Sequence, residues 1–228
     1  MFLYLAPFQQ PFTLQAFTIA NASPKYSVRI LVTGKEGADG VPDMIQGSGK
    51  VTIKSKATGA VIQTISMKSI AVFTKQLSTS VGKDGREPSM YDDSYSLVFE
   101  DFNFDGRQDL AICNGLNSGY GGPSYDVYLF DPKKSKFIKS PTLSTLASEH
   151  LGLFEIDWKA HALLVYDKSG AAWHKETSYR LVHNRLVKVG EMIDDATGSK
   201  EVLTTRKLVG SKWKVTKKVS PLPKNTGE

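Results

Sequence analysis

Apolar and polar residues alternate with a period of two through much of this chain. Tyr26 to Thr33 alternates cleanly and predicts a β-strand. Val51–Ser55 and Val61–Ile65 flank a turn at Thr58-Gly59, which is a hairpin signal. Tyr95–Phe99 and Leu110–Cys113 read as strands on either side of a polar stretch. Tyr125–Phe130 is a further strand, ended by Asp131-Pro132, and Lys136–Ile138 is a short return. Leu153–Ile156 and Ala162–Tyr166 form a hairpin across residues 157–161. Ser178–Val182 and Leu186–Val189 turn at His183-Asn184, and Val202–Val209 and Trp213–Val219 turn at Gly210-Ser211. Only Pro141–Glu149 reads as helix, one turn or two. Gly34–Gly49 and Lys75–Tyr91 read as loops. Short strands at this spacing, with almost no helical period, predict an all-β protein of antiparallel sheets.

The pattern divides the chain into an uncharged segment 1–24, one all-β domain over 25–220 and a disordered tail 221–228. Three readings compete for the first segment: a poor signal peptide, a start placed inside a longer export signal, or a mature strand. The missing positive charges and the breaks at Pro7 and Pro11 favour a mature segment whose signal lies upstream. No run of 18 apolar residues exists, so no transmembrane helix is expected. The lone Cys113 excludes an internal disulfide and reads as a small core residue.

The 228 residues carry a net charge of +6. In the last strand Lys212, Lys214, Thr216 and Lys218 share one strongly basic face, and Trp213, Val215, Lys217 and Val219 the other. Lysines guarding an edge strand against aggregation explain this face; a surface turned to a membrane or a partner is the sharper alternative. Stacking aromatics do not interleave the lysines, so no nucleic acid partner is expected.

The chemistry concentrates in Asp101-Phe102-Asn103-Phe104-Asp105-Gly106-Arg107-Gln108-Asp109. Asp101, Asn103, Asp105 and Asp109 place side-chain oxygens at positions one, three, five and nine. Arg107 offers its carbonyl at position seven, and Gly106 permits a sharp turn. Hard oxygen ligands on alternate residues are the opening of a Ca2+ loop. Position twelve is Ile112 rather than Glu, and the flanks read as strands, so this is not an EF-hand. An Asx-rich turn without metal would not need three carboxylates within nine residues, since they repel one another. A structural calcium loop between two strands is therefore expected.

No other motif carries chemistry. Gly47-Ser-Gly-Lys50 fails as a phosphate loop, with Met44 where Gly is needed and Val51 where Ser or Thr must follow. The four histidines lack ligand spacing. Glu155 and Asp157 share one side of a strand and could serve glycoside hydrolysis, although hairpin ends commonly carry such charges. The catalytic set is expected to be empty. The Gly-rich stretch 117–123 leaves Tyr120 between Gly119 and Gly121, unscreened and suited to anchor a partner; Trp173 and His174 are the runner-up contacts.

The order of these features resembles a known family. Asp101 to Leu110, the Gly-rich loop, Tyr125 to Asp131, Phe137, Leu143 to Leu146, Phe154 to Asp157, Lys168 to His174 and Tyr179-Arg-Leu follow one another. The first part resembles the calcium repeat of FG-GAP and integrin-like propellers. The whole set resembles periplasmic immunity proteins of bacterial-killing type IV secretion systems. The resemblance implies an irregular β-propeller-like fold with one calcium site, a periplasmic location, and a cognate peptidoglycan hydrolase effector that the protein binds and blocks. Two other functions stay open: a calcium-stabilised adhesion or envelope-scaffold module, and a small carbohydrate-active enzyme.

Overall fold

A computed structural model describes residues 12–79 and 95–222. The chain builds three sheets, each from strands that are consecutive in sequence. The first is the meander β1 (Thr13–Ile19), β2 (Tyr26–Glu36), β3 (Met44–Ser55) and β4 (Val61–Phe73). The second holds β5 (Ser78–Thr79), β6 (Leu97–Glu100), β7 (Asp109–Gly115), β8 (Ser124–Asp131) and β9 (Lys136–Lys139). After helix α1 (Pro141–Glu149) comes the third, a six-stranded meander. Its strands are β10 (Glu155–Asp157), β11 (Ala162–Lys168), β12 (Trp173–Val182), β13 (Arg185–Asp195), β14 (Lys200–Val209) and β15 (Lys212–Pro221). The all-β expectation holds. Pairing within the sheets is antiparallel, as between β1 and β2, β2 and β3, and β6 and β7, whereas the short match of β5 with β6 is parallel.

The chain clusters into two compact units. The first takes residues 1–100, 108–116 and 128–138; the second takes 101–107, 117–127 and 139–228. In the first unit the alternation of β2 is realised: Val28, Ile30 and Val32 turn inward and are buried with Val51, Ile53, Ile70, Leu110 and Ile112. An aromatic cluster joins this core. Tyr26 lies 5.6 Å from Phe99 and 5.4 Å from Phe137 between ring centroids. In the second unit α1 starts on the Ser140 cap, whose side chain accepts from the Leu143 N–H, with Pro141 in the first turn. Its buried residues Leu143, Leu146 and Ala147 recur at helical spacing.

One predicted loop is a strand. Residues 34–49 read as a Gly-containing loop, yet β3 begins at Met44 and pairs with both β2 and β4. The glycines are there because the strands come too close for a side chain. A Cβ on Gly47 would stand 2.0 Å from the Thr33 carbonyl oxygen, and one on Gly49 2.5 Å from that of Leu31. The register against β4 shifts between these two glycines. The expected turns are present: His183 and Asn184 both adopt positive φ, and Val209 pairs with Lys212 across Gly210-Ser211. Within the uncharged segment, Thr13–Ile19 is β1, paired with β2; residues 1–11 lie outside the described residues. Of the polar stretch 75–91, residues 80–91 lie outside them, as do residues 223–228 of the tail.

Candidate metal loop and exposed tyrosine

Residues 101–107 wind on themselves through the oxygens that the sequence pattern singles out. Asp101 Oδ1 accepts from the Asp105 N–H at 3.0 Å, and Asp101 Oδ2 from the Gly106 N–H at 2.7 Å. Asn103 Oδ1 also accepts from the Asp105 N–H, at 3.1 Å, and Asp105 Oδ1 from the Arg107 N–H at 2.9 Å. Gly106 takes φ +82, the left-handed turn expected of it. Asp109 opens β7, is fully buried, and its Oδ1 accepts from the Phe130 N–H at 2.8 Å. Burial pushes the Tyr26 phenol up, and the Asp109 charge adds to the shift.

The donors are oxygens, the type that a hard divalent cation takes. A carboxylate has about four lone-pair sites, so accepting a backbone N–H does not by itself exclude an ion. Beside Asp109, the Gln108 side-chain carbonyl oxygen is buried and accepts nothing from the protein. Among the described residues no three His, Cys, Asp or Glu side chains already converge as a metal-holding group.

Aromatic contacts that the sequence pattern does not reveal fix the loop within the second unit. Phe104 adopts φ +62 and stacks on His161, 5.1 Å between centroids and 4° from parallel. It also meets Trp158 edge-on at 5.6 Å. Phe102 is buried and packs edge-on against Phe154 at 5.3 Å. Each such aromatic pair contributes about 0.5–1.5 kcal/mol beyond the area it buries. Phe102 and Phe104 alternate with the oxygen-bearing residues, so the loop presents oxygens and rings at alternate positions.

The Gly-rich segment forms one 3-10 turn, Gly119–Gly121, with Tyr120 at φ +58 and 67% exposed. Gly119 donates to the His150 carbonyl at 2.7 Å, and a Cβ there would stand 3.0 Å from that same oxygen. The side chain of His150 is itself held, with Nδ1 2.8 Å from Asp167 Oδ1, while Lys175 Nζ lies 2.9 Å from Asp167 Oδ2. Burial alone would raise Asp167, but Lys175 and His150 outweigh it and hold the carboxyl below its ordinary value. At the tip, the Tyr120 hydroxyl accepts from the Gly170 N–H at 3.1 Å, and Lys168 Nζ sits 4.7 Å from the ring centroid. Gly170 lies in the β11–β12 turn, which leads directly into half-buried Trp173 and exposed His174. The structure thus gathers the turn holding the Tyr120 phenol and the runner-up contacts into one stretch of the second unit.

Glu155 and Asp157 have structural partners. Glu155 Oε2 accepts from the Tyr166 hydroxyl at 3.0 Å, and Asp157 Oδ1 from the Ala160 N–H at 2.8 Å. Across the sheet, burial pushes Glu176 up, the Asp157 charge adds to this, and Lys207 offsets part of it. No helix among the described residues is long and apolar enough to cross a membrane.

No protein-family model matches the sequence, and no curated protein matches it. Among solved structures the fold has a neighbour. The chain resembles a Xanthomonas type IV secretion system related protein. The two share 21% identity at a TM-score of 0.71, over 88% of this chain and 92% of the Xanthomonas one. At that identity the likeness shows a shared fold and no more.

Proposed function

We propose that the protein is an immunity protein of a bacterial-killing type IV secretion system, acting in the periplasm by binding and blocking a lysozyme-like peptidoglycan hydrolase. The observation that carries this reading is Tyr120. A large aromatic is held out on left-handed backbone, with its hydroxyl and ring each supported from the β11–β12 turn. Left-handed backbone is unfavourable for a bulky residue and persists where the surroundings hold it. Glycosidase clefts present two carboxylates. A phenol can donate to one of them while its ring fills a sugar subsite, and the Tyr120 hydroxyl has its proton free for this because it acts as acceptor toward Gly170. Trp173 and His174 extend the contact surface. The Xanthomonas neighbour's connection to type IV secretion supports the same context.

In this reading Asp101, Asn103, Asp105, the Arg107 carbonyl and Asp109 hold calcium, which neutralises the carboxylates and stiffens the loop. The protein itself turns over no substrate. Sheets made of consecutive strands are what an irregular propeller-like fold is assembled from.

The test is capture and inhibition of a peptidoglycan hydrolase encoded by an adjacent gene. Tyr120→Ala, with melting temperature and calcium response intact, should weaken inhibition about thirtyfold, the effect of losing a hot spot worth ~2 kcal/mol. Inhibition within a few-fold of the original protein would reject Tyr120 as the anchor. Failure of the unmodified protein to inhibit any such hydrolase would reject the function.

A further inference from the structure

The whole net charge of the protein sits on one hairpin. The chain has 29 Lys and Arg against 23 Asp and Glu. Residues 200–221 hold seven of the basic residues and one of the acidic, so the rest of the chain is balanced at 22 against 22. These residues are β14 and β15, the last two strands of the six-stranded sheet. β15 closes the sheet order, and among the described residues no strand pairs with its outer edge. Every residue from Lys212 to Val219 is exposed, on both faces. Arg206 pairs with Glu191 at 3.1 Å, and Asp195, held low chiefly by its hydrogen bonds from Thr197, also feels the Lys217 charge. Lys212, Lys214 and Lys218 lie in a row with no ion pair among the described residues. On the other side of the strand Trp213, Val215 and Val219 are 45, 59 and 52% exposed.

We infer that this hairpin docks edge-on in the headgroup layer of an anionic phospholipid membrane. A lysine guard alone accounts for the basic row but leaves an exposed Trp and two exposed valines on the same strand unexplained. A surface that offers both phosphates and an apolar margin satisfies both rows. Lysine stems reach phosphate on one side of the strand, and Trp213 with the valines enters the interface on the other. The open edge sets the depth: its unpaired N–H and C=O groups cannot enter hydrocarbon, and the hydrated headgroup layer supplies partners for them. Each basic residue near an anionic surface is worth about fivefold in affinity.

The experiment is co-sedimentation of the full chain with vesicles of phosphatidylcholine alone and with 30% phosphatidylglycerol added (the ~30% chosen to approach the potential of an anionic leaflet). Binding to the anionic vesicles only, weakened at about 1 M salt where screening shortens to ~3 Å, is expected. Lys212→Glu/Lys214→Glu/Lys218→Glu should reduce it by roughly a hundredfold or more. Lys50→Glu/Lys54→Glu/Lys68→Glu, the same charge change at exposed positions of β3 and β4, should stay within a few-fold. Trp213→Ala should lose several-fold without altering net charge. All variants are compared after their melting temperatures are matched. No preference for anionic vesicles, or equal losses in the two triple variants, overturns the inference. So does unchanged binding by Trp213→Ala, or capture by nucleic acid or an acidic protein with no vesicle binding.

Discussion

The Tyr120 hydroxyl accepts a hydrogen bond from the Gly170 backbone N–H at 3.1 Å, although the two residues are 50 positions apart in the chain. The donor is a main-chain N–H, which every residue but proline carries, so the phenol position is set by the fold of the β11–β12 turn. Lys168, above the ring, is the part that can be changed. An exposed cation–π contact is worth about 0.5–1 kcal/mol, or roughly two- to fivefold. Lys168→Met should weaken inhibition of the hydrolase by up to that factor and lower the melting temperature by no more than about 2–4 °C. In a Tyr120→Ala background the same substitution should cost less, because the route through the ring is gone. Additive losses in the double variant would show that Lys168 contacts the partner independently.

Calcium should stabilise the protein. Extracellular calcium modules bind with dissociation constants of ~10⁻⁴–10⁻³ M, and ion at a hundredfold excess adds about 2.7 kcal/mol. Chelation should therefore lower the melting temperature by several degrees. Asp105→Ala should begin lower and be insensitive to chelator. Metal analysis that finds no calcium, together with a melting temperature that chelation leaves in place, refutes the site.

Phe104 should couple ring packing to ion binding. Phe104→Ala removes the His161 stack and the Trp158 edge contact while leaving a non-glycine residue at φ +62. The expected loss is about 1–3 kcal/mol from two aromatic pairs. Calcium titrated against melting temperature should also show a weaker midpoint, since the loop loses its support. Phe104→Gly should recover part of the stability because left-handed backbone costs glycine little. Equal stability of the two variants would mean the backbone at 104 relaxes when the ring is absent.

Glu176 should set a pH dependence opposite to that of a paired carboxylate. Burial and the Asp157 charge raise it in the folded state. Its contribution is therefore favourable below the unfolded carboxyl value and is lost as pH rises through the folded one. Glu176→Gln should raise the melting temperature at pH 7, and the gain should vanish towards pH 4. Asp167 has the opposite sign, being held low in the folded state by Lys175 and His150. Its contribution is present at neutral pH and disappears as acid protonates it, so Asp167→Asn should destabilise at pH 7 and much less near pH 3. A Glu176→Gln difference that does not change between pH 4 and 7 would show that the carboxyl titrates normally.

Periodicity was legible where one strand face meets the core. β2 turns every second residue inward, and the sequence of Tyr26–Thr33 says so directly. It failed at Gly47 and Gly49 because a glycine that permits close strand approach carries the same letter as one that breaks a strand. The self-bonded turn of residues 101–107 was legible because its oxygen spacing is local. The rings that fix it were not: Phe104 and His161 are 57 positions apart, and neither sits in a pattern that alternation would flag. The Gly119–His150 and Tyr120–Gly170 contacts are also long-range, so the sequence shows an unscreened tyrosine but not what supports it.

The division of the chain into two units has a consequence for how the protein is made. Each unit is assembled from three separated segments. A chain emerging from the ribosome delivers residues 1–100 first, with β4 ready to bury Ile65, Met67 and Ile70. Leu110, Ile112, Tyr128 and Phe137, which complete that core, arrive only as residues 108–138 follow. Segments 101–107 and 117–127 emerge in between and wait for partners from residue 139 onward. Neither unit can finish before the other has begun, so a nascent chain stalled near residue 100 would present an open apolar sheet to chaperones and proteases.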